Sequence, residues 1–582
     1  MNVFAKLSLI LFSSVVLFSS CKGKKGSGEF EMNLTEAKGG RYYGGVLRLN
    51  ESEFIKTLYP PNITDGFSMR IASQIYEGLF KFDQSDLSVK KCLVEDYSVD
   101  ETGKIYTFKL KKGVYFHDNA CFQDGKGREM KASDVAFCFT QLCKQDANNQ
   151  GFIIFKNTLK GADEHFVNSA GGKTPTTKLG IEIIDDYTLK MELVKPNALF
   201  ITNLARPFAF IYPKEAFEKY GLEMRSKAVG TGPFYLSSMD EDISIILKKN
   251  PKYYGQDQNG NQLPFLEAVD IKFIKDKKTE LFEFKKGNID MIYRLPTEYI
   301  IEILEETGPD KSGEYSQFEL QRKPEMATQF LTFMSQNEVF KNKDLRKAIS
   351  FAIDREKILN FVLNGEGFYP GFNGITPPTF TDYKTEEIKG YKLNTDSARY
   401  YLAKAGYPGG KGFPEVTLQL NSEGERHSNV AIEIQKQLKE NLNINIKLEV
   451  VPFAQLVENI ISGKTGFFRS GYIADYPSPE NFLALFYGKD VPKSLNEKSF
   501  PNFARFTNPE FDRLYEAGLS AKTTEESYSY FLQAEKLLMA EAPIIVLWYD
   551  EGYRLLQSNV KNFPNNPMQL RDYSEVYFEK VK

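Results

Sequence analysis

The sequence predicts an α/β protein, and three observations carry that prediction. Strand-like and helix-like patterns alternate across residues 394–474, residues 45–186 are strand-rich, and the composition is that of a chain that folds in water, with 42% hydrophobic and 26% charged residues and a mean hydropathy of −0.39. A chain of 582 residues has length for a sizeable core and for several domains. Its charges nearly cancel, 74 Lys and Arg against 77 Asp and Glu, so the concentrated basic excess on which nucleic-acid binding depends is missing. Aromatic residues make up 14%, as 47 Phe and 32 Tyr but one Trp, enough for aromatic-lined grooves as well as core.

In chain order, residues 1–20 read as an export signal. Lys6 supplies the positive end, and residues 7–20 form an uncharged, mostly apolar run, shorter than the roughly 20 residues needed to span a bilayer. The run ends at Phe18-Ser19-Ser20-Cys21, small residues before a cysteine, which resembles a bacterial lipoprotein box and makes Cys21 the expected lipidation site; the alternative is an ordinary secretory signal with an incidental cysteine. Residues 21–40 are expected to be a flexible tether, basic and glycine-rich over 22–28. No later segment has the length and apolarity to cross a membrane, and residues 542–549 read instead as a buried strand.

Export permits disulfides. Cys92, Cys121, Cys138 and Cys143 remain after Cys21, the last three near His117, but Cys138 and Cys143 lack the close paired spacing of structural zinc sites. A disulfide from Cys121 to Cys143 is expected ahead of two free buried thiols, and no metal site is expected.

Residues 105–110 alternate apolar and polar as a half-buried strand does, and a helix is expected to open at Ser133-Asp134. Leu345, Ala348, Ile349, Ala352 and Ile353 mark an amphipathic helix facing the core. Asn394 or Thr395 can cap a helix carrying Ala398, Tyr401, Leu402 and Ala405, which Gly406 closes. A strand at 416–420 follows, then Val430, Ile434, Leu438 and Leu442 at helical spacing, a second strand through Ile444, Ile446, Leu448 and Val450, a helix near 453–461 and a third strand near 467–473. Such alternation implies parallel βαβ units with the ligand edge at the carboxyl ends of the strands.

Catalytic signatures are missing. The three histidines, His117, His165 and His427, are few, and nucleophile elbows, zinc-protease helices, phosphate loops and dinucleotide fingerprints are all absent from the sequence. Paired acids such as Asp185-Asp186 and Glu305-Glu306 are expected by chance among 77. Neither catalytic residues nor cofactors are expected; a secreted hydrolase is an alternative without positive support.

Several segments together resemble the family-5 extracellular solute-binding proteins, the peptide- and nickel-binding components of ABC importers. They are residues 75–83 around Tyr76-Glu77-Gly78, residues 103–118 ending in Phe116-His117-Asp118, Ser133-Asp134-Val135, Gly230-Thr231-Gly232-Pro233-Phe234-Tyr235-Leu236, residues 345–355 from Leu345 to Arg355, and Gly471-Tyr472-Ile473-Ala474-Asp475-Tyr476-Pro477. Their order and spacing cover most of the mature chain, and they place His117 in a structural segment.

The resemblance implies a two-lobed, periplasmic-binding-protein-like (type II) fold with an additional inserted subdomain. Lobe I would comprise 41–76, 190–327 and 549–582, the inserted subdomain 77–189, and lobe II 328–548. It implies closure over a ligand and, for peptides, capture as an added strand whose backbone pairs with protein backbone. Carried over residue by residue, Asp475 pairs with a peptide's α-ammonium group, Tyr472, Ile473 and Ala474 flank the ligand from one side, and Thr64, Asp65 and Gly66, counted back from Tyr76-Glu77-Gly78, flank it from the other. Arg469 and His427 match residues that receive the ligand carboxylate; their plainer readings are a solvated strand residue and the start of a helix. Asn421 stands where dipeptide-binding members carry arginine, which disfavours a strict dipeptide binder, and Tyr472 replaces the family's common tryptophan. The implied protein is a monomeric, lipid-anchored, extracytoplasmic oligopeptide carrier for an ABC permease and its ATPase subunits, attached to the membrane by its lipid and without nucleic-acid partners. A nickel chelate or oligosaccharide as solute, or a peptide-sensing receptor, are the alternatives.

Overall fold

The structure is a computed structural model that describes residues 33–580 apart from 198, 309–310, 381, 422–424 and 522. The expected signal peptide, Cys21 and residues 21–32 lie outside the described residues. The last part of the expected tether is ordered, because Thr35–Glu36 pairs antiparallel with Tyr42–Tyr43.

Three sheets organise the chain. In the first lobe the order is Phe234–Asp240, Ser244–Lys249, Ala268–Lys272, Val46–Asn50, with the last pair parallel. The segment expected to form an inserted subdomain carries most of a sheet in the order Val94–Val99, Ile105–Leu110, Thr188–Glu192, Ile181–Asp185, all antiparallel. The expected border at 189 falls inside the strand Thr188–Glu192. In Ile105–Leu110 the residues Tyr106, Phe108 and Leu110 are buried, as the alternation predicts. The next helix is Ala132–Leu142, one residue longer at its start than expected, because the Asp134 carboxylate reaches back to accept the Lys131 N–H at 2.9 Å.

The second lobe contains the predicted βαβ pattern. Val416–Asn421 and Ile446–Val451 are parallel and joined by the helix Arg426–Leu442; the helix Phe453–Ile461 then leads to Phe467–Ile473, parallel to Val416–Asn421. Leu418, Leu420, Val430, Ile434 and Leu438 pack against Ala348, Ile349, Ala352 and Ile353 in one apolar core. Asn394 caps its helix by accepting the Ser397 N–H at 2.8 Å. On its other side, however, Phe467–Ile473 is antiparallel to Phe318–Phe333, so the sheet is mixed.

Two long strands join the lobes. Phe318–Phe333 and Ile544–Gln557 pair antiparallel from Phe318↔Gln557 to Thr332↔Ile544, so the expected borders at 327/328 and 548/549 fall inside continuous strands. Their register breaks between Pro324↔Glu551 and Thr328↔Tyr549, leaving residues 325–327 opposite Asp550 alone. This bulge bends the pair where it passes from one lobe to the other, and Pro324, which has no N–H to donate, is tolerated there.

Several of the segments that carried the resemblance are structural joints. Glu77 is buried and accepts hydrogen bonds from Thr231 Oγ1 at 2.8 Å, Tyr253 OH at 3.1 Å and Tyr254 OH at 2.9 Å. A Cβ at Gly230 would stand 2.2 Å from the Ile75 carbonyl oxygen, and one at Gly232 2.6 Å from that of Gln74, so only glycine lets this segment approach the helix Gly66–Ile75. His117 Nε2 donates to the Gly232 carbonyl at 2.9 Å and Nδ1 accepts the Gly230 N–H at 3.3 Å; burial lowers its pKa to about 4. Arg355 donates to the carbonyls of Val546 at 2.6 Å and Ser350 at 3.1 Å, tying the helix Lys343–Phe351 to the strand beside it.

The expected Cys121–Cys143 disulfide is not formed. Both are free thiols: Cys143 ends the helix Ala132–Leu142 with its side chain fully buried, whereas Cys121 is half-buried in a turn closed by its N–H on Asn119 Oδ1 at 2.9 Å. Among the described residues no helix is long and apolar enough to cross a membrane.

Candidate functional site

Between the lobes lies a cleft of about 1450 Å³, beyond the roughly 300–1,000 Å³ typical of a small-molecule pocket. Thr64, Asp65, Gly66, Arg206 and Phe208 line one wall; Phe453, the strand from Arg469 to Ile473, Asp475 and Tyr476 line the other.

The strand Phe467–Ile473 gives the second wall its character. It pairs along its whole length with Phe318–Phe333 but with Val416–Asn421 only at Gln419↔Phe468. From Arg469 to Ile473 its second edge has no paired strand among the described residues, so backbone donors and acceptors face the cleft. Opposite, Asp65 is extended and caps the helix Gly66–Ile75, its carboxylate accepting Ser68 N–H at 2.8 Å and Ser68 Oγ–H at 2.9 Å. Burial raises the Asp65 pKa against those bonds. With that side chain committed to the cap, Asp65 contributes backbone to the cleft.

The predicted residues separate into three groups. Thr64, Asp65, Gly66, Arg469, Tyr472, Ile473 and Asp475 are brought together around the cleft. Ala474 is adjacent but buried in the core, with its N–H on the Met326 carbonyl at 2.8 Å. His427 lies behind the sheet, where it lines a small cavity with Arg469 and Trp548, and its Nδ1 donates to the Asn421 carbonyl at 3.2 Å. Arg469 Nη2 donates to Gln329 Oε1, and Nη1 lies 3.4 Å from Asn421 Oδ1.

Asp475 has a partner that the sequence reading missed. Arg206, from the opposite wall, donates through Nη2 to Asp475 Oδ2 at 2.6 Å, and the Tyr472 hydroxyl donates to the same oxygen at 3.1 Å. The guanidinium lies between the rings of Phe208 and Tyr476, 5.3 Å from each centroid. The Asp475 N–H is fixed by Asn481 Oδ1 at 2.7 Å. Next to this pair, buried Glu480 accepts from the Tyr476 and Tyr515 hydroxyls, and burial raises its pKa against those bonds. The available signal for Arg206 was a single cation inside the apolar run 204–210.

A second ion pair, Lys156 Nζ to Asp490 Oδ1 at 2.5 Å, and an edge-on contact of Phe67 with Phe453 at 5.8 Å also bridge the cleft. Among the described residues no group of three or more His, Cys, Asp or Glu could hold a metal ion.

Comparison with known proteins places this geometry. The family described as bacterial extracellular solute-binding proteins, family 5 Middle, matches residues 88–494. Heme-binding protein A of Haemophilus influenzae is 26% identical over 529 residues, covering 87% of this chain and 88% of that protein. The oligopeptide-binding protein OppA of Bacillus subtilis is 24% identical over 590 residues, covering 99% and 98%. Among solved structures, the periplasmic binding protein DppA of Helicobacter pylori in complex with the peptide STSA superposes with a TM-score of 0.81 at 24% identity, over 93% of this chain and 99% of that one.

Proposed function

This chain belongs to the bacterial extracellular solute-binding proteins of family 5, and we propose that its solute is an oligopeptide, delivered from a lipid-anchored position outside the cytoplasm to an ABC permease driven by separate ATPase subunits. The observation that carries the reading is the open edge of Arg469 to Ile473, across a cleft of about 1450 Å³ from Thr64, the extended Asp65 and Gly66. A peptide entering there extends the sheet as one more strand, and backbone pairing does not depend on sequence. Arg469 on the strand Phe467–Ile473 and Asp475, two residues beyond its end, mark the two ends of the ligand. Cys21 carries the lipid, the carrier works as a monomer, and it has no catalytic chemistry of its own. Because relatives named for heme, dipeptides and oligopeptides share this family, the solute has to be argued from the site.

The test is native mass spectrometry of the full-length, detergent-purified chain, followed by acid release and sequencing of what it carries. The expected result is a spread of bound masses that resolves into short peptides of mixed sequence. A single non-peptide mass, or an increment the size of nickel, overturns the peptide reading. Mass analysis of the N-terminal fragment should show an acylated Cys21; an unmodified residue there removes the lipid anchor.

A further inference from the structure

Most of the charges that line the cleft form one linked group that includes Asp475. Arg206 pairs with Asp475, and buried Glu480 acts on Arg206 as well while accepting from the Tyr476 and Tyr515 hydroxyls. The Tyr515 ring lies 4.9 Å from Tyr487, whose hydroxyl donates to Glu516, and Lys489 pairs with the same carboxylate. Lys195 acts on Glu516, and Lys156 pairs with Asp490 beside Lys489. Asp163 accepts the Asn157 N–H at 2.9 Å, next to Lys156. Of the charged side chains lining the cleft among the described residues, the two outside this group are Asp65, whose carboxylate caps its helix, and Arg469, held by Gln329.

The helix Phe453–Ile461 gives another part of the lining the opposite character. Phe468 of the cleft strand packs with Leu456 and Ile460 of that helix, and Phe503 packs against them. The helix therefore lies on the face of the sheet to which Phe468 points, a face that Ser470 and Tyr472 share at the strand's period of two. Phe453 and Val457, on the same side of the helix as Leu456 and Ile460, are only half-buried and line the cleft. Half-buried Phe500 lines it too, its ring 5.8 Å from Phe503, in a loop pinned by the Ser499 N–H on the Ile461 carbonyl at 2.9 Å. Half-buried Met69 faces them from the opposite wall. Lys56, which acts on Asp65, and the pair of Glu458 with Lys498 at 3.0 Å are near this helix but outside the lining. Apolar side chains left half-open to a cleft mark a place where a ligand is to cover them.

A peptide added to the open edge of Arg469 to Ile473 sends alternate side chains to the two faces of the sheet. A charged side chain on the Ser470 face would lose its water on closure without gaining a partner, since Asp65 is committed to its cap and Arg469 points to the other face. An apolar side chain gains from the same burial. We propose, on the footing of the peptide reading above, that the cleft selects peptides carrying a large apolar side chain at the position that faces the helix Phe453–Ile461, and discriminates there against Asp, Glu, Lys and Arg. Phe453 and Val457 are the selecting residues. The peptide positions on either side, whose side chains point to the Arg469 face, carry no such selection.

The experiment uses a randomised pentapeptide library with free termini, so that the amino end at Asp475 fixes the register. The full-length chain is stripped of its cargo and incubated with the library, and the captured peptides are released and sequenced by mass spectrometry. Residue frequencies at each position are compared with those of the starting library. In the wild-type pool Phe, Tyr, Leu, Ile and Met should be enriched over Asp, Glu, Lys and Arg by about tenfold at one position, or at two positions separated by one residue. Phe453→Lys and Val457→Lys, both at half-buried sites, should each turn the preference at that position toward Asp and Glu and leave the other positions as they were. A bound wild-type pool with charged and apolar residues equally frequent at every position, or with apolar enrichment at adjacent positions alike, overturns the inference and leaves the peptide reading standing. The wild-type pool decides this whether or not the variants fold. An enrichment that both folded variants leave unmoved also overturns it. An empty pool overturns both readings together.

Discussion

The core of the βαβ half of the second lobe and the crossing of the two long strands are both buried, yet they are built from opposite materials. In the first, Leu418, Leu420, Val430, Ile434 and Leu438 fill the space between sheet and helices with hydrocarbon. In the second, Asp550 accepts from Arg294 at 3.0 Å, Gln329 at 2.5 Å, Arg426 at 3.2 Å and the Trp548 indole at 2.7 Å, and Glu325 accepts from Tyr293 OH at 2.9 Å and from Gln569. Apolar packing is non-directional and tolerates small changes of shape, so it supplies stability. A buried charge network costs solvation and returns it only in one geometry, so it specifies an arrangement. That arrangement is the bulge where the strands pass between lobes, and Gln329 links it to Arg469 on the cleft wall.

The sharpest way to break the comparison is Asp550→Ala. It removes the shared acceptor and leaves Arg294 and Arg426 buried with a lost partner, a situation that costs about 3–5 kcal/mol. Denaturant unfolding should show that loss; a change under 1 kcal/mol would mean that the network contributes little to holding the crossing.

The joint at His117 should come next in size, and it is read by pH. Its folded pKa is lowered by burial to about 4 from an unfolded value of about 6.5. The neutral ring is therefore what the fold prefers. Its contribution is complete above about pH 6.5 and is lost as pH falls toward 4, amounting to about 3 kcal/mol. Protonation would also set an N–H at Nδ1 against the Gly230 N–H. Unfolding free energies at pH 7 and 4.5 should differ by less in His117→Gln than in wild type; an unchanged difference would assign the acid sensitivity to other groups.

The cleft pair should give a smaller effect. Asp475→Ala deletes an ion pair that crosses the cleft, as Lys156–Asp490 also does. Peptide affinity should fall roughly tenfold, about 1.4 kcal/mol, with the unfolding midpoint nearly unmoved. Unchanged affinity in a titration would remove Asp475 from the site.

What the sequence made legible follows the same division. The βαβ half was readable because apolar periodicity is a local signal: Val430, Ile434, Leu438 and Leu442 announce a helix whatever surrounds them. The helix Phe453–Ile461 and strand Phe467–Ile473 accordingly fell where the pattern put them. The candidate site was legible only through a resemblance, which placed Asp475, Arg469 and Thr64 to Gly66 around one cleft. It was silent on Arg206, because the pairing of residues 206 and 475 is a fact of tertiary structure that no local pattern encodes. The same holds for the disulfide that did not form: sequence proximity of Cys121 and Cys143 says nothing about one being buried at a helix end and the other held in a turn.

The smallest effect tests the apolar side. Ile434 is fully buried in the helix Arg426–Leu442, with Val430 and Leu438 on the same face and the strand Val416–Asn421 beneath. Ile434→Val removes one methylene, for which the transfer and cavity terms together come to about 1 kcal/mol. No polar group is left unpaired and no strand edge moves, so peptide affinity should stay at its wild-type value. If this substitution lowered affinity as Asp475→Ala does, the division drawn between a core that supplies stability and a charged crossing that sets geometry would fail at its simplest point. If instead it cost stability alone, the cleft would be shown to take its shape from the strands and ion pairs that frame it, independently of how tightly the helices behind them are packed.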